Sequence, residues 1–242
     1  MAAIRLLSST ALKTSLDVLA PQFERATACT LDIAYAPSAQ LTERVADGEA
    51  ADAAILTSQG VDELIRRRKA TAGGRIDLCR SEIVVAVAKG ARKPDISSAE
   101  KFKQAMLKAT SIAISHPSSG GTTGSHLAKV FEQMGIAEVL KPKIVYSQGG
   151  PQGLIGGYIV RGEAEIGIQQ DAELMAIQGI DIVGPLPAEI QSVSLFSYAT
   201  LATSANGGAH ALGKFLRSPA AIKVMKDNGL KPVAETTTFA GS

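Results

Sequence analysis

Between Ser115 and His126 the chain reads Ser-His-Pro-Ser-Ser-Gly-Gly-Thr-Thr-Gly-Ser-His, a run dominated by hydroxyls and glycines. Such side chains donate hydrogen bonds without adding charge, and glycine lets the backbone approach a ligand closely, so the chemistry predicted here is the capture of an anion. Ser119, Thr122 and Thr123 are the candidate donors. Two similar stretches lie upstream, Ser8-Ser9-Thr10 and Tyr35-Ala-Pro-Ser38, and Thr57 ends a further apolar run. Ser9, Thr10, Ser38 and Thr57 therefore join the candidate set.

The elements that must position these donors follow one pattern. Ile4 to Leu7, Leu31 to Ala34, Ala53 to Leu56 and Ile112 to Ile114 are apolar runs that predict buried parallel strands, and each leads through its polar loop into a helical pattern. Helix N-termini carry unsatisfied amides and the positive end of the helix dipole, which favours anions. In an open α/β sheet all of these loops fall at the carboxyl ends of strands, where ligands bind. The alternation of strands and helices predicts an α/β fold with largely parallel sheets. The long β-rich runs Ile83 to Ala88 and Val193 to Ala202 read as crossings between two lobes. Lobe 1 is expected to comprise 1–83 and 195–242, and lobe 2 to comprise 84–194, with a cleft between them.

Other chemistry is excluded or left open by composition. The net charge is +2, from 25 Lys+Arg against 23 Asp+Glu, and aromatic content is 4% without Trp, so nucleic acid is not an expected partner. Arg66 to Lys69, the one basic run, complements a helix C-terminus. No apolar run reaches the roughly 20 residues of a membrane span, so no direct membrane insertion is expected. Neither a metal-ligand spacing, a Ser-His-Asp order nor a nucleotide loop is present, Gly120 to Gly124 lacking the P-loop lysine, and no cofactor is expected. Cys29 and Cys79 could be free thiols or one disulfide. Met1-Ala-Ala-Ile-Arg leads straight into the first strand without a secretory leader. That predicts a mature periplasmic form with an added initiator Met, or a cytoplasmic protein if Met1 is native.

Leu7-Ser-Ser-Thr-Ala-Leu, Pro21-Gln-Phe-Glu-Arg-Ala-Thr, Tyr35-Ala-Pro-Ser-Ala-Gln-Leu, Gly48-Glu-Ala-Ala-Asp-Ala-Ala-Ile-Leu-Thr and Gly162-Glu-Ala-Glu-Ile-Gly-Ile-Gln-Gln-Asp-Ala-Glu-Leu together resemble the periplasmic solute-binding proteins of the molybdate-binding type, across roughly the whole chain. The resemblance implies the two-lobed type II periplasmic-binding-protein fold, with two doubly wound sheets joined by two crossover strands and closing on a small anion. It also implies an ABC-type membrane transporter as partner. By position Ser38 matches the family's second-loop serine. Ala11 stands where the first-loop serine is usual, with Thr10 just before it, and Gln169 stands in place of the usual tyrosine. These departures point to an anion other than molybdate. Arg80, beside the predicted hinge, would clamp a carboxylate bidentately, and the amides of Gln148, Gln152, Gln169 and Gln170 suit carboxylate oxygens. A di- or tricarboxylate is therefore the expected ligand. An aconitate isomerase shares this type of fold, and its allylic proton shift between trans- and cis-aconitate is the alternative activity. In that case His116, just past a strand end, is the candidate acid/base.

Overall fold

The computed structural model describes residues 2–147 and 153–233. The chain begins with β1 (Ala2–Ser9), a 3-10 turn (Thr10–Leu12) and α1 (Lys13–Ala26), then β2 (Cys29–Ala36), α2 (Ser38–Ala46), β3 (Ala53–Thr57) and α3 (Ser58–Arg66). Strand β4 (Ile76–Ala88) follows, and α4 (Ala99–Lys108), β5 (Ile112–Ser115), α5 (Thr122–Gln133), α6 (Ala137–Leu140) and β6 (Ile144–Ser147) come after it. Then come α7 (Ile155–Val160), β7 (Ile166–Gln170), α8 (Asp171–Met175), β8 (Ile180–Pro185), β9 (Val193–Thr200), α9 (Gly207–Phe215), α10 (Pro219–Asp227) and the short β10 (Lys231–Pro232).

The strands run in the order β2-β1-β3-β9-β4-β7-β5-β6, and β4 is the element that joins two sheets. Its first half, Ile76 to Glu82, pairs antiparallel with β9, and its second half, from Ile83 onward, pairs antiparallel with β7. On the first side β2, β1 and β3 are parallel, and on the second β7, β5 and β6 are parallel. The change of partner falls between Glu82 and Ile83. There the Ile83 N–H donates to Gln191 Oε1 (3.1 Å), and Gln191 Nε2 donates back to the Ile83 carbonyl (3.0 Å). One side-chain amide thus takes the place of a strand where the two sheets part. The returning chain reaches the first sheet through this residue.

Both faces of each sheet are covered, which explains why the strands read as continuous apolar runs. In the first lobe Ile4, Leu6 and Ile55 pack into one core while Leu7, Ala54 and Leu56 pack into a second. In the other lobe Ile83, Val85, Ile112 and Ile114 face one cluster and Val84, Ala86 and Ala113 the opposite one. This is the two-lobed doubly wound fold that the sequence predicts.

Several elements differ from their sequence reading. β9 pairs only with β3 and the first half of β4, so Val193 to Ala202 lies within the first sheet and is not a crossing; the strand that crosses is β4, between Glu82 and Ile83. β4 starts at Ile76, so Arg80 lies within a strand and not ahead of it. β7 extends to Gln170, so Gln169 and Gln170 are strand residues buried at its end. β8 had no strand signal, because Gly184 and Pro185 interrupt its short apolar run. Cys29 and Cys79 are both free, with burial pushing the Cys79 thiol up to about 12. Among the described residues no helix is long and apolar enough to cross a membrane, and no group of His, Cys, Asp and Glu could hold a metal ion.

Candidate functional site

The parallel strands of both lobes end at one small cleft of about 50 Å³. Ser9, Thr10, Ser38 and Thr57 reach it from the first lobe, and Ser119, Thr122, Thr123 and Gln169 from the second. These candidates are far apart in sequence and are brought together because strand ends of both sheets meet at the hinge.

The helix starts around the cleft are short of capping side chains. The turn that opens α1, and the helices α2 and α5, have no side-chain hydrogen bond at their N-caps, Ser9, Pro37 and Gly121. Their first amides and dipoles are therefore available to an anion. α3 is the exception, since Thr57 Oγ1 accepts from the Gly60 N–H at 3.3 Å. The glycines of the second-lobe loop have separate tasks. A Cβ at Gly124 would sit 2.3 Å from the Ser115 carbonyl oxygen, so α5 can lie this close to the end of β5 only with glycine there. Gly120 has φ +79°, and Pro37, Ala39 and Gln40 of the other lobe lie 3.5–3.7 Å from where its Cβ would be. The two lobes approach here to within the space of about one methyl group, beside the cleft.

Several polar atoms around the cleft are left unused. Thr10 Oγ1, Ser119 Oγ and Gln170 Oε1 are buried and lack a hydrogen-bond partner among the described residues. Thr10 is 7% and Gln170 4% exposed. Ser15 Oγ and Ser81 Oγ, away from the cleft, are likewise without a partner among the described residues, but the three at the cleft are placed for a polar ligand to satisfy, an unsatisfied buried group costing about 1–3 kcal/mol. Gln170 Nε2 donates to Ser194 Oγ (3.2 Å) and Thr123 Oγ1 (3.5 Å). Hydroxyls can also donate, so turning this amide over would present its N–H groups to an anion. Ser38 Oγ accepts from the Thr57 N–H (3.1 Å), which leaves its own proton to donate. Thr122 Oγ1 and Ser194 Oγ lie 3.2 Å apart, tying α5 to β9.

One ionisable residue in the cleft lies within the stretch from Gly162 to Leu174 that carries the family resemblance, yet is not among the sequence candidates. Glu173, in the first turn of α8, lines it together with the donors. Burial pushes its carboxyl up to about 7, and a hydrogen bond from the Gln169 side chain pulls the other way. Gln169 is itself fixed, because its Oε1 accepts from the Ile155 N–H at 2.8 Å. Oε1 being occupied, Nε2 is the atom left for the carboxylate. Phe196 supplies an apolar wall.

Two sequence candidates lie elsewhere. Arg80 is exposed on β4, between the buried Cys79 and Ser81, because strand pleating sends alternate side chains to opposite faces. His116 is turned to its own loop: Nδ1 is 2.7 Å from Ser118 Oγ, and the ring packs edge-on against Tyr146. Neither is among the residues lining the cleft. Gln148 and Gln152 lie outside the described residues.

Residues 4–231 match the family described as bacterial extracellular solute-binding protein. The chain belongs to that family. Within this solute-binding protein's wider kin, an aconitate isomerase from a Pseudomonas species is 37% identical over 237 residues, which cover 95% of this chain and 88% of that one. The periplasmic molybdate-binding protein of Azotobacter vinelandii has the same fold, with TM-score 0.75 at 19% identity over 96% of this chain and 99% of that one. A sulfate-binding protein of Mycobacterium tuberculosis superposes with TM-score 0.74 at 19% identity, over 97% of this chain and 88% of that one.

Proposed function

We propose that this solute-binding protein works as an aconitate isomerase, holding a tricarboxylate between its lobes and moving its double bond. The observation that carries the reading is the 37% identity to an aconitate isomerase over nearly the whole of both chains. The donors of the cleft suit such a ligand, which the lobes must part to admit, since the closed cleft holds only about 50 Å³. Its donors are hydroxyls, amides and helix N-termini from both lobes, spread widely enough to engage carboxylates at several points. Buried donors without partners, such as Thr10 Oγ1 and Ser119 Oγ, are satisfied when carboxylate oxygens arrive. The reaction needs proton transfer and no redox partner, which agrees with a cleft lined by neutral donors and one carboxyl.

A second reading, delivery of a bound anion to an ABC-type membrane transporter from the periplasm, is favoured by the match to extracellular solute-binding proteins. Incubation of the purified protein with trans-aconitate, followed by proton NMR, separates the two. Accumulation of cis-aconitate up to an equilibrium mixture is the expected result. Tight binding without product over hours would leave the transport reading in its place.

A further inference from the structure

We propose that Glu173 is the group that carries the proton during the allylic shift, with Gln169 as its positioning residue. The inference rests on the isomerase reading above and names the chemistry of that same cleft. An allylic shift requires a base beside the methylene carbon of the bound acid. Among the described residues lining the cleft, Glu173 is the one with a side chain that can accept a proton at ordinary pH. The histidine nearest to the cleft in sequence, His116, is engaged with Ser118 and Tyr146.

Placement favours this role. Glu173 sits on α8, which packs against the 3-10 turn Thr10–Leu12 of the opposite lobe, so its carboxyl is presented where the lobes meet. The chain of contacts from the Ile155 N–H to Gln169 Oε1, and from the Gln169 amide to the carboxylate, fixes its orientation from behind. Charged groups nearby are spent on one another. Lys231 on β10 pairs with Glu82 on β4 at 2.6 Å, and both act on Asp171, the other acid of α8. Lys13 at the start of α1 pairs with Asp17. No cation enters into the titration of Glu173, which desolvation and Gln169 alone set near 7. An arginine in contact would have lowered that value and weakened the base. A cleft that binds an anion through neutral donors therefore keeps its one carboxyl basic enough to act.

The step balances without a co-reactant. The Glu173 carboxylate takes a proton from the methylene carbon of trans-aconitate, and the C–H electron pair becomes the new carbon–carbon double bond. The former double-bond pair then takes a proton at the former vinyl carbon, returned by the same carboxyl, now a carboxylic acid. Negative charge spreads in between onto the conjugated carboxylate held by the hydroxyl donors. Whether the product is cis or trans is set by the conformation in which the methylene carboxylate is held as the proton leaves.

The test uses Glu173→Gln and Glu173→Asp beside the wild type, with turnover followed by NMR and aconitate binding by titration calorimetry. Glu173→Gln should lower kcat by roughly 10²–10⁴-fold, the usual contribution of a positioned acid/base. Its affinity should hold or rise, since the amide keeps the size of the side chain and removes a like charge. Glu173→Asp should retain partial activity. Wild-type kcat/KM should rise with pH through about 7, and Gln169→Leu should move that limb upward by removing the hydrogen bond to the ionised form. Full activity in folded Glu173→Gln, or a wild-type rate that does not vary from pH 5 to 9, would overturn the role of Glu173 and leave the isomerase reading standing. Absence of turnover by the wild type overturns both.

Discussion

Ser38 is a neutral side chain polarised to donate into the cleft it lines. Its Oγ accepts from the Thr57 N–H, and a hydroxyl that accepts one hydrogen bond is polarised to donate another. Ser38→Ala should weaken aconitate binding by about 1.5–3 kcal/mol, the range for hydrogen bonds to charged groups, with the far-ultraviolet circular dichroism unchanged. Arg80→Ala, on the outer face of β4, should leave affinity as it is; both are read by titration calorimetry. Residues such as Ser38 and Thr10 were legible because a hydroxyl directly after an apolar strand stands at the carboxyl end of a sheet, where ligands bind. Glu173 was not legible, since a glutamate in the first turn of a helix is what the helix dipole favours anyway. Its distinction lies in its half-buried place beside donors from elements far apart in sequence. Arg80 misled for the opposite reason: its charge suggested a carboxylate, while the pleat of β4 faces it outward.

At the scale of elements, the close seating of α5 on the end of β5 decides where the second-lobe donors stand. Gly124→Ala would force a methyl group into the Ser115 carbonyl. α5 must then lift, and overpacking of this kind costs about 1–3 kcal/mol. A lowered midpoint in urea, together with loss of aconitate binding beyond what the stability change accounts for, is the expected outcome. Unaltered binding in a destabilised protein would show that α5 does not set the donors. Most strands were legible from their buried apolar runs, and the helices from their 3.6-residue periodicity. The exceptions have physical causes. The first half of β4 mixes Asp77, Arg80 and Glu82 with apolar residues because it borders solvent and the hinge. β7 runs on into Gln169 and Gln170 because a strand end at a polar cleft buries amides as readily as aliphatic groups.

For the whole molecule, a ligand that binds only when both lobes contribute donors stabilises the folded state by mass action, about 2.7 kcal/mol at a hundred times its Kd. Citrate or trans-aconitate should therefore raise Tm more than molybdate or tungstate at matched ionic strength. A larger shift with molybdate would place this cleft with the oxyanion carriers instead. The two-lobed architecture itself was foreseeable, since alternation is sequence-local, but of the two expected crossings only β4 changes sheets, and β9 stays within the first. The contact of Gly120 with Pro37 and Ala39 was not, because it joins loops of different lobes. That contact has a bearing on selectivity. With room for no more than a methyl group between this backbone and a helix start, the rim has little slack, so length is judged after capture. An acid one or two carbons longer would still be caught by the open jaws, yet it would prop them ajar and leave the proton carrier hydrated. Such a homologue would behave as a decoy, occupying the protein without being turned over.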